Sequence, residues 1–132
     1  EVIINELTKK LNSQQHRVKS IGCHLIDLLE GNVSAFFKSG IKYWDFIAPL
    51  NLLKTQQPKE WNCYLYIPKN TNSPLSHHNY IKTCPYKMNP TLIERLNIKH
   101  QENCRIGTII ITHKSHPNLQ EIILNECLKH TN

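Results

Sequence analysis

Three consecutive isoleucines, Ile109-Ile110-Ile111, set within Gly107 to Thr112, constrain this chain more than any other stretch. An apolar run of that length reads as a buried strand, since neighbouring side chains on a strand point to opposite sides and all of them must leave water. Ser115-His116-Pro117 then opens a last helix, in which Leu119, Ile122, Ile123 and Cys127 fall at i, i+3, i+4 and i+8 as a stripe for packing on a core. A strand feeding a helix is the unit from which layered α/β domains are built.

The same alternation recurs upstream. Val2-Ile3-Ile4 reads as a short edge strand, followed by Asn5 as a cap and a helix carrying Leu7 and Leu11. Arg17 to Ile21 reads as a strand, Gly22 as a tight turn, and Leu25, Ile26, Leu28 and Leu29 as a helix that Gly31 stops. Val33 to Phe37 reads as a strand buried on both sides, with Val33, Ala35 and Phe37 on one face, Lys38 at its end and Gly40 closing it. Cys63 to Ile67 is a further strand, with Tyr64 and Tyr66 sharing a face, where packing is the expected role. Pro68 to Asn89, rich in Pro and Asn, reads as a long loop that covers a site or a partner surface, and Pro90 to Leu96 as a short helix. The expected fold class is α/β, a mixed β-sheet flanked by helices on both faces, in a three-layer αβα lobe.

Composition narrows the function classes. At 132 residues, 39% hydrophobic and 20% charged, the chain is one domain's worth of ordinary globular sequence. It has no apolar run near the roughly 18 residues of a membrane span and no basic-then-apolar leader, so no membrane partner is expected and a cytoplasmic location fits. It begins at Glu1 and reads as a segment of a longer polypeptide. The net charge of +6 is spread over scattered lysines and arginines, which favours phosphate over a nucleic-acid track. Five cysteines without close pair spacing argue against a disulfide framework. His77, His78 and Cys84, or Cys104, His113 and His116, do not match known zinc-ligand spacings.

The strongest candidate for chemistry is Asp45, in Gly40-Ile-Lys-Tyr-Trp-Asp-Phe-Ile-Ala-Pro-Leu-Asn-Leu-Leu-Lys54. Phe46, Leu50, Leu53 and Lys54 have helical spacing, so Asp45 stands where a helix begins. A carboxylate there accepts backbone N–H bonds and feels the positive end of the helix dipole, which keeps it ionised and fixed in direction. Two readings follow: a plain helix cap, or an oxygen ligand for a hard cation such as Mg2+.

Gly22-Cys23-His24, the run Leu29 to Gly40, and Ile41-Lys-Tyr-Trp-Asp-Phe-Ile-Ala48 together resemble the C-terminal half of the Mg2+-dependent inositol monophosphatase family, which includes the bisphosphate nucleotidases. Trp44-Asp45 with Ala48 is the most specific piece; the match covers Arg17 to Lys54 and, more weakly, Thr108 to Leu128. The resemblance implies that Asp45 binds catalytic Mg2+ and that Cys23, His24 and Lys38 stand at substrate-binding positions. Cys23 and His24 replace the small or hydroxyl residues usual there. Lys38 matches a Glu in inositol phosphatases and a basic residue in bisphosphate nucleotidases, and a lysine donates to phosphate but cannot accept from a ring hydroxyl. Against this, the Gly40-to-Trp44 spacing is closer to the inositol type, and a solvated strand end is the alternative for Lys38.

The expectation is therefore a single C-terminal lobe, residues 1–132, of a two-lobe Mg2+-dependent phosphomonoesterase. Its substrate is a small phosphorylated metabolite, leaning to a 3′(2′),5′-bisphosphate nucleotide, with an inositol-1-monophosphate as the alternative. The N-terminal lobe, which carries the remaining carboxylates in the family, is not in this sequence, so no catalytic residue is assigned here and the segment alone is expected to be inactive. Its partners would be that lobe and, as an assembly option, a second copy in a homodimer. A reading of another class is a catalytically degenerate lobe used for binding or assembly.

Overall fold

The computed structural model describes residues 2–11, 26–42, 60–68, 80–84 and 105–129. They form helix α1 (Val2–Lys10), strands β1 (Ala35–Lys42), β2 (Trp61–Pro68), β3 (Tyr80–Thr83) and β4 (Arg105–His113), and helix α2 (Leu119–Lys129). The four strands make one sheet in the order β1-β4-β2-β3. The class is α/β, but among the described strands every pairing is antiparallel, where a mixed sheet was expected. β1 and β2 run in the same direction with β4 inserted between them, and β3 and β4 likewise flank β2. The connections after β1 and after β3 are therefore crossovers, and only β2 and β3 are sequential neighbours in the sheet.

The three isoleucines explain why β4 lies inside the sheet. Ile109, Ile110 and Ile111 are all at most 1% exposed, and burying each contributes about 1.5–3 kcal/mol, which an edge position would forfeit in part. Register sorts the neighbours: Phe37, Ile110 and Tyr64 lie side by side on one face, and Phe36, Ile111 and Cys63 on the other. On the first face Tyr66 and Ile110 pack with Leu7 of α1 and with Ile123, Leu124, Cys127 and Leu128 of α2, and Ala35, Phe37 and Tyr64 border that cluster. Tyr64 and Tyr66 thus share a face and serve as packing, as the alternation implied. The second face, with Cys63, Leu65, Ile67, Ile109 and Ile111, is buried as well.

Several local expectations are corrected. Residues 2–4 are the start of α1, not a strand. Their β-branched side chains favour a strand only weakly, and the packing of Leu7 against α2 extends the helix back through them. Asn5 is accordingly inside α1, where its carbonyl accepts a hydrogen bond from Thr8 Oγ1 at 2.8 Å. β1 does not close at Gly40 but continues to Lys42 through a register shift between Lys38 and Ile41, a β-bulge that absorbs the glycine. Lys38 is therefore inside a strand and not at its end. The stretch 68–89 is not wholly loop, since it contains β3, whose Tyr80, Ile81 and Thr83 suit a strand and pair with β2. α2 begins at Leu119; the first intrahelical bond runs from Ile122 N to Asn118 O at 3.1 Å, which makes Asn118 the cap.

Gly31 does stop its helix. Residues 26–29 are helical, Gly31 has φ 81°, and the bonds Gly31 N to Leu28 O (3.1 Å) and Asn32 N to Asp27 O (2.9 Å) form a Schellman closure. Gly107 is needed for a different reason. Its φ is 146°, and a Cβ there would fall onto the Tyr66 carbonyl oxygen, so β4 and β2 reach their spacing only with glycine at this point.

Candidate functional site

Of the four residues assigned to a site, Asp45, Cys23 and His24 lie outside the described residues. Lys38 is placed: it sits in β1 opposite Ile109, two residues from Phe36 on the apolar second face, half-buried. β1 is an outer strand of the four. A lysine directed toward the core side of such a strand keeps its stem on apolar surface and its ammonium near water, which also blocks pairing with a foreign strand.

The described carboxylates do not form a Mg2+ donor set. Among the described residues no three His, Cys, Asp or Glu side chains converge. Glu126, on α2, is committed to lysines, with Lys129 Nζ at 3.1 Å and Lys10 Nζ of α1 at 3.4 Å. The hydrogen bond from Lys129 holds its carboxyl below the usual range; burial opposes this and Lys10 assists.

The first face carries a buried polar cluster that periodicity alone passes over. Gln120, 7% exposed, continues the core stripe of α2 at i, i+3, i+4, i+7 and i+8 with Ile123, Leu124, Cys127 and Leu128. Its Oε1 accepts from the Tyr66 hydroxyl at 3.0 Å. Its Nε2 faces three acceptors: Asn62 O at 3.0 Å, Ile110 O at 3.2 Å and Thr112 Oγ1 at 3.3 Å. The amide thus pins the first turn of α2 to β2 and β4. Burial first, and then the neighbouring Tyr80, push the Tyr66 hydroxyl up, so it stays protonated and donates. On the second face burial pushes the Cys63 thiol up to about 12, with Cys84 adding to it, which keeps Cys63 an inert packing group. Among the described residues Cys63 and Cys84 are free thiols.

A second polar corner lies where β4 ends and β2 begins. Trp61 and His113 are directly paired in the sheet, and their rings meet edge to face at 5.0 Å. Lys114 N donates to Glu60 O at 2.9 Å, which holds the two chain ends together. His113 Nδ1 lies 2.7 Å from Ser115 Oγ and accepts the Ser115 backbone N–H at 3.1 Å. His113 Nε2 faces Glu60 Oε2 at 3.9 Å. A backbone N–H can only donate, so Nδ1 is the unprotonated nitrogen of the neutral ring. The Ser115 hydroxyl then donates to it, and Nε2–H points toward Glu60. Sequence spacing reveals His113-Lys-Ser115 as neighbours, but only the register of β2 against β4 brings Glu60 to them.

No family model matches this chain, and the comparisons with curated proteins and with solved structures found no match. Among the described residues no helix is long and apolar enough to cross a membrane.

Proposed function

We propose that this chain is the C-terminal lobe of a Mg2+-dependent phosphomonoesterase, with Asp45 as the metal ligand it contributes. What supports the reading is the Trp44-Asp45 motif of the sequence, which follows two residues after β1 ends at Lys42. β1 runs through its bulge to Lys42, and the next residues lead into the acidic motif before β2 resumes in the same direction on the far side of β4. A crossover leaving the end of a strand is a common place for ligand-binding groups in layered α/β folds. The three-layer αβα arrangement belongs to this proposal, supported by the burial of both sheet faces. Bound Mg2+ would polarise the phosphate and ease formation of the attacking hydroxide. This chain's own part would be to hold that ion through Asp45 and to bind substrate through Lys38, Cys23 and His24.

Lys38 favours a substrate with a second anionic group, a 3′(2′),5′-bisphosphate nucleotide before an inositol-1-monophosphate. The N-terminal lobe of the same polypeptide would supply the remaining carboxylates, in the cytoplasm. The setting of Lys38 inside β1, opposite Ile109, favours a second reading, a lobe retained for binding or assembly. Mg2+-dependent phosphate release by the full polypeptide, with both substrates and with Asp45→Ala, separates the two. Release abolished by Asp45→Ala supports the enzyme. No release by the folded polypeptide from either substrate would leave the assembly reading.

A further inference from the structure

The corner formed by Glu60, Trp61, His113 and Ser115 holds a hydroxyl, a base and a carboxylate in sequence. We propose that Ser115 is a nucleophile activated by His113 that takes an acyl group from an activated ester or thioester. The Oγ–Nδ1 separation of 2.7 Å is within proton-transfer reach. The Ser115 backbone N–H on the same nitrogen fixes the tautomer, and the single Nδ1 lone pair is shared between that N–H and the hydroxyl, which makes the shorter contact. Glu60, 3.9 Å from Nε2, lies where it stabilises the imidazolium that forms when His113 takes the proton. Trp61 packs edge-on to the imidazole and limits its rotation.

The step balances within these groups. Ser115 Oγ attacks the carbonyl carbon, its proton passes to His113 Nδ1, the bond to the leaving oxygen or sulfur breaks, and that atom receives the proton from His113. The products are acyl-Ser115 and a free alcohol or thiol. The substrate class follows from how the described N–H groups of this corner are engaged. The backbone N–H of Ser115 is used by His113 Nδ1 and that of His116 by His113 O at 3.0 Å, so neither can stabilise an oxyanion. Only acyl donors whose leaving group is already good fit such a site; amides and alkyl esters do not.

The test is incubation of the full polypeptide with p-nitrophenyl acetate, following p-nitrophenol release and mapping the acetyl group by mass spectrometry. Acetyl-Ser115 should form, vanish in Ser115→Ala, and form about 100-fold more slowly in His113→Gln. Glu60→Gln, which leaves the His113–Ser115 pair in place, should slow it by a few-fold, about the effect of a solvent-exposed charge pair. Acetyl groups on Lys114 or other surface amines with Ser115 unmodified would overturn the proposal. So would acetylation of Ser115 at an unchanged rate in both His113→Gln and Glu60→Gln, with circular dichroism like that of the parent.

Discussion

Replacing Gln120 by leucine tests how the last helix is held on the sheet. Leucine keeps most of the volume and continues the apolar stripe of α2, so on periodicity alone it should stabilise the protein. The structure gives the opposite sign. Tyr66 is 1% exposed, and its hydroxyl, whose acceptor is Gln120 Oε1, would lose that buried partner; this costs about 1–3 kcal/mol. The two amide hydrogens of Nε2 now serve acceptors on Asn62, Ile110 and Thr112, and their loss costs about 0.5–1.5 kcal/mol each. Added apolar burial returns about 1 kcal/mol. The expected loss is therefore about 3 kcal/mol. In urea denaturation followed by tryptophan fluorescence it should lower the midpoint by about 1–2 M at unchanged slope. Tyr66→Phe should cost less, and in the double variant the losses should fall short of additive by about 1 kcal/mol, because the second substitution removes a partner already orphaned. A Gln120→Leu variant within about 0.5 kcal/mol of the parent, or strictly additive losses, would refute the assignment of this amide as the tie between α2 and the sheet.

Three further perturbations follow from the same structure. Gly31→Ala, where φ is 81° and a Cβ meets nothing within 4 Å, should cost about 1 kcal/mol by denaturant titration. Gly107→Ala, where the Cβ meets the Tyr66 carbonyl, should cost about 3 kcal/mol or more and separate β4 from β2; equal costs at the two sites would contradict the close approach. Glu126 has a lowered folded-state pKa, so its contribution is present above the unfolded carboxyl value and disappears as pH falls through the folded one. Glu126→Gln should lose about 1 kcal/mol at pH 7, since both lysines are half-exposed; the difference from the parent should begin to shrink near the unfolded carboxyl value of about 4.3 and close once the pH is below the folded one, as equilibrium unfolding across pH would show.

The sequence by itself determined the elements whose signal is local. The isoleucine run could only be a buried strand, and the stripe from Leu119 to Cys127 could only be a helix on a core, because each pattern repeats with the period of one backbone geometry. Gly31 was legible as a stop for the same reason: a left-handed residue after a helix favours glycine within a few residues of chain. What spans the sequence was decided by tertiary structure. Whether 2–4 is strand or helix depended on α2 being there for Leu7 to pack against, and β3 was a strand only because β2 offered it an edge. Lys38 read as a strand end until β4 paired past it to Arg105. Gln120 lies outside the stripe read from the sequence, and only the folded sheet supplies the four groups that make an amide the right residue there. The meeting of Glu60 with His113 and Ser115 had no sequence signal at all. It depends on which strands are neighbours and in what register, and that is set by the summed burial of both sheet faces, which no local window of residues contains.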